Sequence, residues 1–268
     1  YDAYARALPW RMTGGKRADP YRVWLSEIML QQTQVSTVIP YYQRFLEAFP
    51  TVADLAQAPE DQVMTLWAGL GYYSRARHLH RCATQVVSDW GGVFPSRSED
   101  LVRLAGIGPS TAAAIASICH GERAAIFDGN VQRVLARHSG YEGDLSLAAS
   151  LRALRELAQS FLPAAPLMAI YTQAIMDLGA TVCKPRQPLC PACPVADDCQ
   201  AKAQKRTAEL PIKTRKVKRQ SQSWWLLVMR HPQQGVWLER RPSSGIWAGL
   251  HCFPVFNSRE ELVSSLPA

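Results

Sequence analysis

Four cysteines near position 190 restrict what this part of the chain can form. Cys183, Cys190, Cys193 and Cys199 follow the spacing C-x6-C-x2-C-x5-C. Four thiolates on one short loop can bind a single metal centre, as in iron–sulfur clusters and some zinc sites. Disulfides are the alternative, but they suit small secreted domains, and this sequence has 268 residues and no secretory signal pattern. The spacing therefore predicts a metal centre, with zinc and iron–sulfur both open.

The basic charge of the chain is concentrated in one segment. The net charge is +8, and residues 202–219 contribute +7 of it from eight Lys and Arg residues and the single acid Glu209. A basic balance fits a polyanionic partner. The segment has no apolar face and contains Pro211, so we predict an extended linker. It is either a solvated tether or a basic strap that lies along phosphates.

Apolar periodicity predicts a helical part followed by a part with strands. Up to about residue 200, apolar side chains recur at spacings of three and four. Thr51 and Ser96 are predicted helix starts, because an acidic residue follows each of them after three positions. No apolar run reaches the ~20 residues needed to cross a bilayer, so we expect no membrane partner.

Beyond the linker the residue pattern changes. Segments rich in aromatic and apolar residues predict strands, with a hairpin turn at 231–234 and a following helix. The predicted strands are 223–229, 235–240 and 253–256, and the predicted helix is 260–266. Residues 220–268 are few for an α/β core, so we expect this domain to be cut short and the chain to be an internal fragment.

Glu27 lies within a segment, Pro20–Pro40, that is predicted to be one helix bounded by its prolines. Its neighbours are Val23, Trp24, Leu25, Ile28, Met29 and Leu30. A carboxyl group in apolar surroundings loses solvation, which raises its pKa and suits a general acid. The alternative is an exposed glutamate on the polar face of the helix, beside Gln31 and Gln34.

The segment Leu104–Ala113 (LAGIGPSTAA) predicts a helix–hairpin–helix turn. Gly106 and Gly108 allow the backbone to turn sharply and leave its N–H groups pointing outward. Those groups and the following helix N-terminus suit a DNA phosphate. An ordinary helix–helix turn explains the two glycines equally well.

Asp128 follows an apolar stretch and precedes a helical one. It is either a helix N-cap or a second carboxylate across a cleft from Glu27. In the second case one carboxyl group would be protonated and the other ionised, as in glycoside cleavage.

The order of these motifs resembles the helix–hairpin–helix DNA glycosylase superfamily and, within it, the adenine DNA glycosylase (MutY) family. The resemblance covers nearly the whole chain. The matching segments are LPWR (Leu8–Arg11), WLSEIMLQQTQV (Trp24–Val35), LWAGLGYYSRAR (Leu66–Arg77), LAGIGPSTA, DGNVQRVLAR (Asp128–Arg137), MDLGATVC (Met176–Cys183), the cysteine spacing and RRPSSGIWAGLHCFP (Arg240–Pro254).

The resemblance implies a mainly α, two-lobed glycosylase fold. A six-helix barrel with the helix–hairpin–helix would span 13–122, and an iron–sulfur domain would combine 1–12 with 123–203. A basic linker, 204–222, and the N-terminal part of a small α/β MutT-like domain that recognises 8-oxoguanine, 223–268, would follow. The four cysteines would hold a [4Fe-4S] cluster.

The implied activity is removal of adenine mispaired with 8-oxoguanine or guanine in duplex DNA during base excision repair. Glu27 would protonate N7 of the extruded adenine, and Asp128 would stabilise the oxocarbenium-like sugar or bond to its C1′. Asn130 would orient Asp128 or water. Water would then attack, with Glu27 accepting its proton.

The resemblance also implies contacts with DNA. Gln32 and Tyr72 would insert near the 8-oxoguanine, and Thr33 would touch it. The helix–hairpin–helix would contact DNA through Gly106, Gly108, Ser110 and Thr111. The adenine pocket would be formed by Arg6, Trp10, Leu30, Val35, Gln173 and Met176. For Leu30, Val35 and Met176, a place in the helix core is an equal alternative.

Two positions depart from related lyases. Endonuclease III has a lysine two residues after the second glycine, and some relatives have one four residues after the aspartate. Here these positions are Ser110 and Gln132. Without such an amine no Schiff base forms, so we predict a monofunctional glycosylase.

Other functions are weighed against this one. A catalytically silent iron–sulfur DNA-binding protein is the alternative from a different class, and Glu27 and Asp128 argue against it. A thymine-mismatch glycosylase does not call for an acid at N7, and no glutamate-rich nudix motif supports nucleotide hydrolysis. We expect a monomer that is cytoplasmic and nucleoid-associated if the source is bacterial.

Overall fold

Every regular element described in the first of the chain's two units is helical. The computed structural model describes residues 1, 4–11, 18–215, 221–242 and 244–266. The units are Tyr1–Arg215 and Lys216–Ala268. The first contains α1 (Pro20–Leu30), α2 (Val35–Ala48), α3 (Val52–Gln57), α4 (Glu60–Trp67), α5 (Ser74–Trp90), α6 (Ser98–Leu101), α7 (Pro109–Ile115), α8 (Gly129–His138), α9 (Ala148–Ser160), α10 (Met168–Asp177) and α11 (Gln200–Ala203). Turns of π-helix, Ala116–His120 and Leu178–Val182, extend α7 and α10, and short 3-10 turns span Ala165–Leu167 and Cys190–Ala192.

The prediction of one helix over Pro20–Pro40 was wrong. Asp19 caps the start of α1 by accepting a hydrogen bond from the Tyr21 N–H at 2.9 Å. The helix then ends at Leu30, because Gln31 has a non-helical ψ of 113° and Gln32 a left-handed φ of 57°. Pro40 lies inside α2 and does not mark a helix end.

One of the two predicted helix starts is confirmed. Thr51 and Asp54 form a reciprocal capping box at the start of α3. Ser96 caps no helix, because α6 begins at Ser98. The Ser98 backbone N–H and hydroxyl instead donate to the carboxylate of Glu122 at 2.7 and 2.6 Å.

Two apolar cores fill the first unit. The first buries side chains of α1–α7, with Trp24 and Trp67 fully enclosed. The second lies among α8, α9 and α10 around Leu154. Trp10 packs in the first core, although the sequence assigned residues 1–12 to the second lobe. The boundaries at 122 and 203 stay predictions.

The helix–hairpin–helix turn has the geometry that its glycines predict. Gly106 has a φ of +75°, which favours glycine. Gly108 is the N-cap residue of α7, and Pro109 is its first residue. The turn therefore lies directly before the N-terminus of α7, most of which is buried.

The start of the predicted linker packs on the first unit and is not a free tether. Leu210 is buried, and the Leu145 N–H donates to the Ile212 carbonyl at 2.9 Å. The Thr214 hydroxyl donates a hydrogen bond to the carboxylate of Asp144. The basic residues Lys216, Lys218 and Arg219 of this linker lie outside the described residues.

The second unit has short antiparallel strands, as its residue pattern predicts. Its elements are β1 (Trp225–Leu226), β2 (Arg230–His231), β3 (Gly235–Val236), β4 (Glu239–Arg240), β5 (His251–Cys252), β6 (Val255–Phe256) and α12 (Arg259–Ser264). The pairs are β1 with β6, β2 with β3 and β4 with β5. The hairpin between β2 and β3 overlaps the predicted turn at 231–234, although β2 lies just beyond the predicted strand 223–229, and β5 was not predicted.

No single helix in the described ranges is long and apolar enough to span a membrane. One pair of helical segments, Ala148–Ser160 and Ala165–Val182, has the length and hydropathy of a membrane span only when the two are taken together. The chain bends by 106° between them.

We predict that Gly106→Ala destabilises the fold, whereas Gly108→Ala does not. A Cβ at Gly106 would lie 2.7 Å from the Cβ of His78, and the left-handed φ adds strain. A Cβ at Gly108 meets nothing within 4 Å. Urea unfolding should show a loss of about 1–3 kcal/mol for G106A and little for G108A. Equal losses would contradict this interpretation of the turn.

Candidate active site

Glu27 lies in the last turns of α1 and faces a narrow cavity rather than bulk solvent. The cavity has a volume of about 40 Å³. Apolar side chains on both sides of Glu27 in α1 are buried in the first core. Six residues predicted for the site line this cavity: Arg6, Trp10, Glu27, Leu30, Gln173 and Met176.

The pKa of Glu27 is raised to about 7, mainly by burial and secondly by the nearby negative charge of Asp128, while the charge of Arg11 acts in the opposite direction. This order of causes matches a carboxyl group in apolar surroundings next to a second acid. The structure therefore excludes the alternative in which Glu27 lies on an exposed polar face.

Asp128 has the first of the two positions that the sequence allowed, and its place across a cleft from Glu27 stays a prediction. It is the N-cap of α8, where its Oδ1 accepts a hydrogen bond from the Val131 N–H at 2.7 Å. It is also close enough to Glu27 for its charge to affect that residue's pKa. A cap fixes the carboxylate without excluding a second role, because a carboxylate has two oxygens.

An ion-pair cluster beside Glu27 was missed from the sequence. Arg11 donates to both oxygens of Asp177 at 2.6 and 2.7 Å, and Arg6 donates to Oδ1 at 2.6 Å. Burial would raise the pKa of Asp177, but these hydrogen bonds lower it below its usual value. Arg11 and Asp177 lie in two quoted motifs, LPWR and MDLGATVC, yet 166 residues separate them, so spacing could not pair them.

Asn130 lies in a hydrogen-bonded chain that leads away from Asp128. Its Oδ1 accepts from Arg133 at 2.8 Å. Arg133 also donates to the carbonyls of Gly179 at 2.7 Å and Cys183 at 2.8 Å. The role of Asn130 in orienting Asp128 or water stays a prediction, and its recorded partner is Arg133.

The helix–hairpin–helix residues differ in exposure. Ser110 accepts a hydrogen bond from the Phe127 N–H at 3.2 Å, so it joins α7 to the segment before Asp128. Thr111 is buried. Gly106 and Gly108 are exposed.

The residues predicted to reach the opposite base lie on two surface turns. Gln32 and Tyr72 are exposed, and Thr33 is half-buried beside Gln32. Val35 packs against the first core, which fits its alternative assignment to the helix core.

The four cysteines line one small cavity together with Arg137. None of them is in a disulfide. Arg137 Nη1 donates to Cys183 Sγ at 3.5 Å, and Cys199 Sγ lies 3.5 Å from the Arg137 carbonyl. An all-thiolate donor set beside a buried cation fits an iron–sulfur cluster. Among the described residues, no group of three His, Cys, Asp or Glu side chains is arranged to hold a single metal ion.

A second cavity of the first unit, about 840 Å³, is not lined by Glu27 or Asp128. Apolar side chains such as Tyr171, Ile175 and Leu189 dominate its lining. Active sites are enriched in acids whose pKa is shifted by burial and by a neighbouring charge, so we place the candidate site at Glu27.

Comparison with known proteins identifies the family of this chain. Residues 25–227 match the model of the HhH-GPD superfamily of base excision DNA repair proteins. An adenine DNA glycosylase from Buchnera aphidicola is 35% identical over 265 residues, which cover 97% of this chain and 72% of that protein. The chain belongs to the adenine DNA glycosylase family. The human adenine DNA glycosylase is 47% identical over 208 residues, covering 75% of this chain and 38% of that protein.

Solved structures show the same helical fold. A thermostable thymine-DNA glycosylase superposes with a TM-score of 0.65 and 30% identity, covering 74% of this chain and 89% of that chain. Endonuclease III in a non-covalent DNA complex superposes with a TM-score of 0.60 and 21% identity, covering 71% and 87%. The predicted family and the mainly helical fold are confirmed.

We predict that Glu27→Gln stabilises the protein increasingly as pH rises. The folded-state pKa of Glu27, about 7, exceeds its ordinary value of 4.5, so the folded protein binds the extra proton between these values. Stability of the unsubstituted chain therefore falls as pH rises towards 7, and Gln avoids this loss. The gain of E27Q should grow by about 2–3 kcal/mol between pH 5 and pH 8.

Urea unfolding at intervals of one pH unit measures this gain. Glu47→Gln, an exposed change on α2, is the control and should show no such trend. A pH-independent difference between E27Q and the unsubstituted chain would contradict a raised pKa at Glu27.

Proposed function

We propose that this chain excises adenine opposite 8-oxoguanine or guanine in duplex DNA, as a monofunctional glycosylase. The observation that carries the proposal is Glu27, half-buried beside Asp128 with a pKa near 7. A carboxyl group with this pKa is partly protonated at neutral pH and can donate its proton to a base. Membership in the adenine DNA glycosylase family supports adenine as that base.

Glu27 protonates N7 of the extruded adenine, which makes the base a leaving group. The glycosidic bond then breaks, and positive charge develops on the sugar. Asp128, held by the Val131 N–H, stabilises that charge or forms a transient bond to C1′. Water attacks C1′, and the Glu27 carboxylate accepts its proton. An abasic site and free adenine are the products.

Access to the pocket requires motion. The cavity beside Glu27 holds about 40 Å³, so its side chains must move apart to admit a base that has left the duplex. Trp10 and Leu30 supply apolar contacts with the base. Arg6, which is hydrogen-bonded to Asp177, borders the polar edge of the base.

The opposite base is recognised by the turns that carry Gln32, Thr33 and Tyr72. An everted base leaves a gap, and inserted side chains fill it and hold the kink. Recognition of 8-oxoguanine by 223–268, as the start of a MutT-like domain, belongs to the same proposal, as do the lobes at 13–122 and at 1–12 with 123–203. We treat the protein as a monomer on DNA.

Cys183, Cys190, Cys193 and Cys199 would hold a [4Fe-4S] cluster, which would supply structural crosslinking of their loop. The residues of this chain connect that loop to the site: Arg133 joins the carbonyl of Cys183 to Asn130, two residues from Asp128. The loop therefore supports the start of α8.

A single-turnover assay of adenine release tests the proposed reaction. Duplexes would contain 8-oxoguanine:A, G:A or thymine glycol, and the preparation would be brown and iron-loaded. Loss of a general acid costs about 10²–10⁴-fold in rate, so E27Q should fall by this range. Asp128→Asn should fall similarly, and the exposed E47Q should match the unsubstituted chain.

Near-normal adenine release by E27Q would overturn the acid role. Binding of all duplexes without any base release would favour the catalytically silent alternative. Release from thymine glycol alone would favour a different substrate.

We further expect weak borohydride trapping of the protein to DNA. Ser110 and Gln132 occupy the positions where an amine would form a Schiff base, and neither side chain can do so. Gel analysis after reaction with borohydride measures trapping. Efficient trapping would contradict the monofunctional assignment, and Ser110→Lys is the matched variant that introduces the amine.

A further inference from the structure

Two surface turns of the first unit have the same strained conformation at their tips. The turn after α1 carries Gln32 with a φ of 57°, and the turn between α4 and α5 carries Tyr72 with a φ of 49°. Left-handed conformations are unfavourable for residues with a Cβ, so neighbouring contacts must hold both tips. Both side chains are exposed.

The buried guanidinium of Arg75, in the first turn of α5, contacts both turns. Its Nη1 donates to the carbonyls of Ile28 and Met29 at 2.9 Å and of Gln31 at 2.7 Å. Its Nη2 donates to Thr33 Oγ1 at 3.1 Å and approaches the carbonyls of Leu70 and Gly71 at 3.4 and 3.3 Å. One planar group therefore joins the end of α1 to the second turn.

The chemistry of arginine explains why these contacts fix position. The last carbonyls of a helix lack partners within it, and a cation there is favourable. The planar fork sets the direction of each hydrogen bond, and burial removes competing water. The Arg75 guanidinium also lies 5.2 Å from the ring centre of Trp67 and 5.4 Å from that of Tyr72. A lysine would offer three donors without this planar geometry.

Arg75 also orients the hydroxyl of Thr33. A guanidinium only donates, so Thr33 Oγ1 must accept from it. The hydroxyl proton then points elsewhere, and its recorded acceptor is the Gln31 carbonyl at 3.3 Å, a long contact. A better acceptor on an opposing base would replace the Gln31 carbonyl as the partner of this proton.

We propose that Arg75 is a positioning residue that fixes the spacing of the Gln32–Thr33 and Tyr72 turns, and so determines discrimination of the base opposite adenine. The role of Arg75 in discriminating the base opposite adenine rests on the proposed function. Its structural part, the joint fixing of two turns by one side chain, does not require DNA.

The first experiment measures hydrogen–deuterium exchange without DNA. Arg75→Lys and Arg75→Gln are compared with Arg81→Lys, an exposed change on the same helix. At a temperature where all variants are folded, amide exchange should rise at least tenfold in both 31–34 and 69–73 for the Arg75 variants. Exchange should not change for R81K, and α9 should not change in any variant.

The second experiment measures single-turnover adenine release from 8-oxoguanine:A and G:A duplexes. For R75K, the rate ratio between the two duplexes should fall at least tenfold, while the pH dependence of the rate is retained. A purely structural role would slow both duplexes equally and leave the ratio unchanged.

The two experiments separate the proposals. Unchanged exchange, or exchange raised in only one turn, overturns the positioning role of Arg75 whether or not adenine is released. Exchange raised in both turns with an unchanged rate ratio overturns its role in discrimination. If the unsubstituted chain releases no adenine, the proposed function fails, and the exchange result still decides whether Arg75 fixes the turns.

Discussion

The site depends on the placement of one carboxyl group, that of Glu27, where its charged form is unfavourable. Two acids close together, one of them shielded from water, cannot both ionise without cost. The fold accommodates this through Arg11, whose charge reaches Glu27 but is largely satisfied by Asp177. Had Arg11 lacked that partner, its full charge would favour the Glu27 carboxylate, and the proton would be lost at a lower pH.

The same arrangement explains why three distant segments must meet. Arg6 and Arg11 lie near the beginning of the sequence, Glu27 lies on α1, and Asp177 ends α10. The π-helical turn that extends α7 packs against α10 between the two cores. Through Ser110, α7 also holds the segment that ends at Asp128. The two apolar cores thus support opposite sides of one polar site.

Local features of the fold could be predicted from the sequence, and non-local ones could not. The capping box at Thr51 and the turn at Gly106 depend on neighbours within a few residues, and both were predicted. The end of α1 was not, because Arg75, 44 residues beyond Gln31, takes up the carbonyls there. A proline is visible in a sequence, whereas a distant guanidinium that bonds to the last carbonyls of a helix is not.

The candidate site shows the same limit. The motif around Glu27 suggested a shielded acid, and only the folded chain decides which face of α1 is buried. The Arg11–Asp177 pair combines residues from separate motifs, and nothing in their spacing links them. The family resemblance placed both residues in matching segments but did not pair them.

The bridge between Arg11 and Asp177 can form only late in the synthesis of the chain. Its two halves are separated by 166 positions, so a growing polypeptide cannot close it until α10 has left the ribosome. Contacts this remote in sequence are slow to form, because a long loop must close first. A nascent chain therefore contains Glu27 long before it contains the surroundings that retain the proton, and competence for chemistry arrives only when almost the entire first unit has folded.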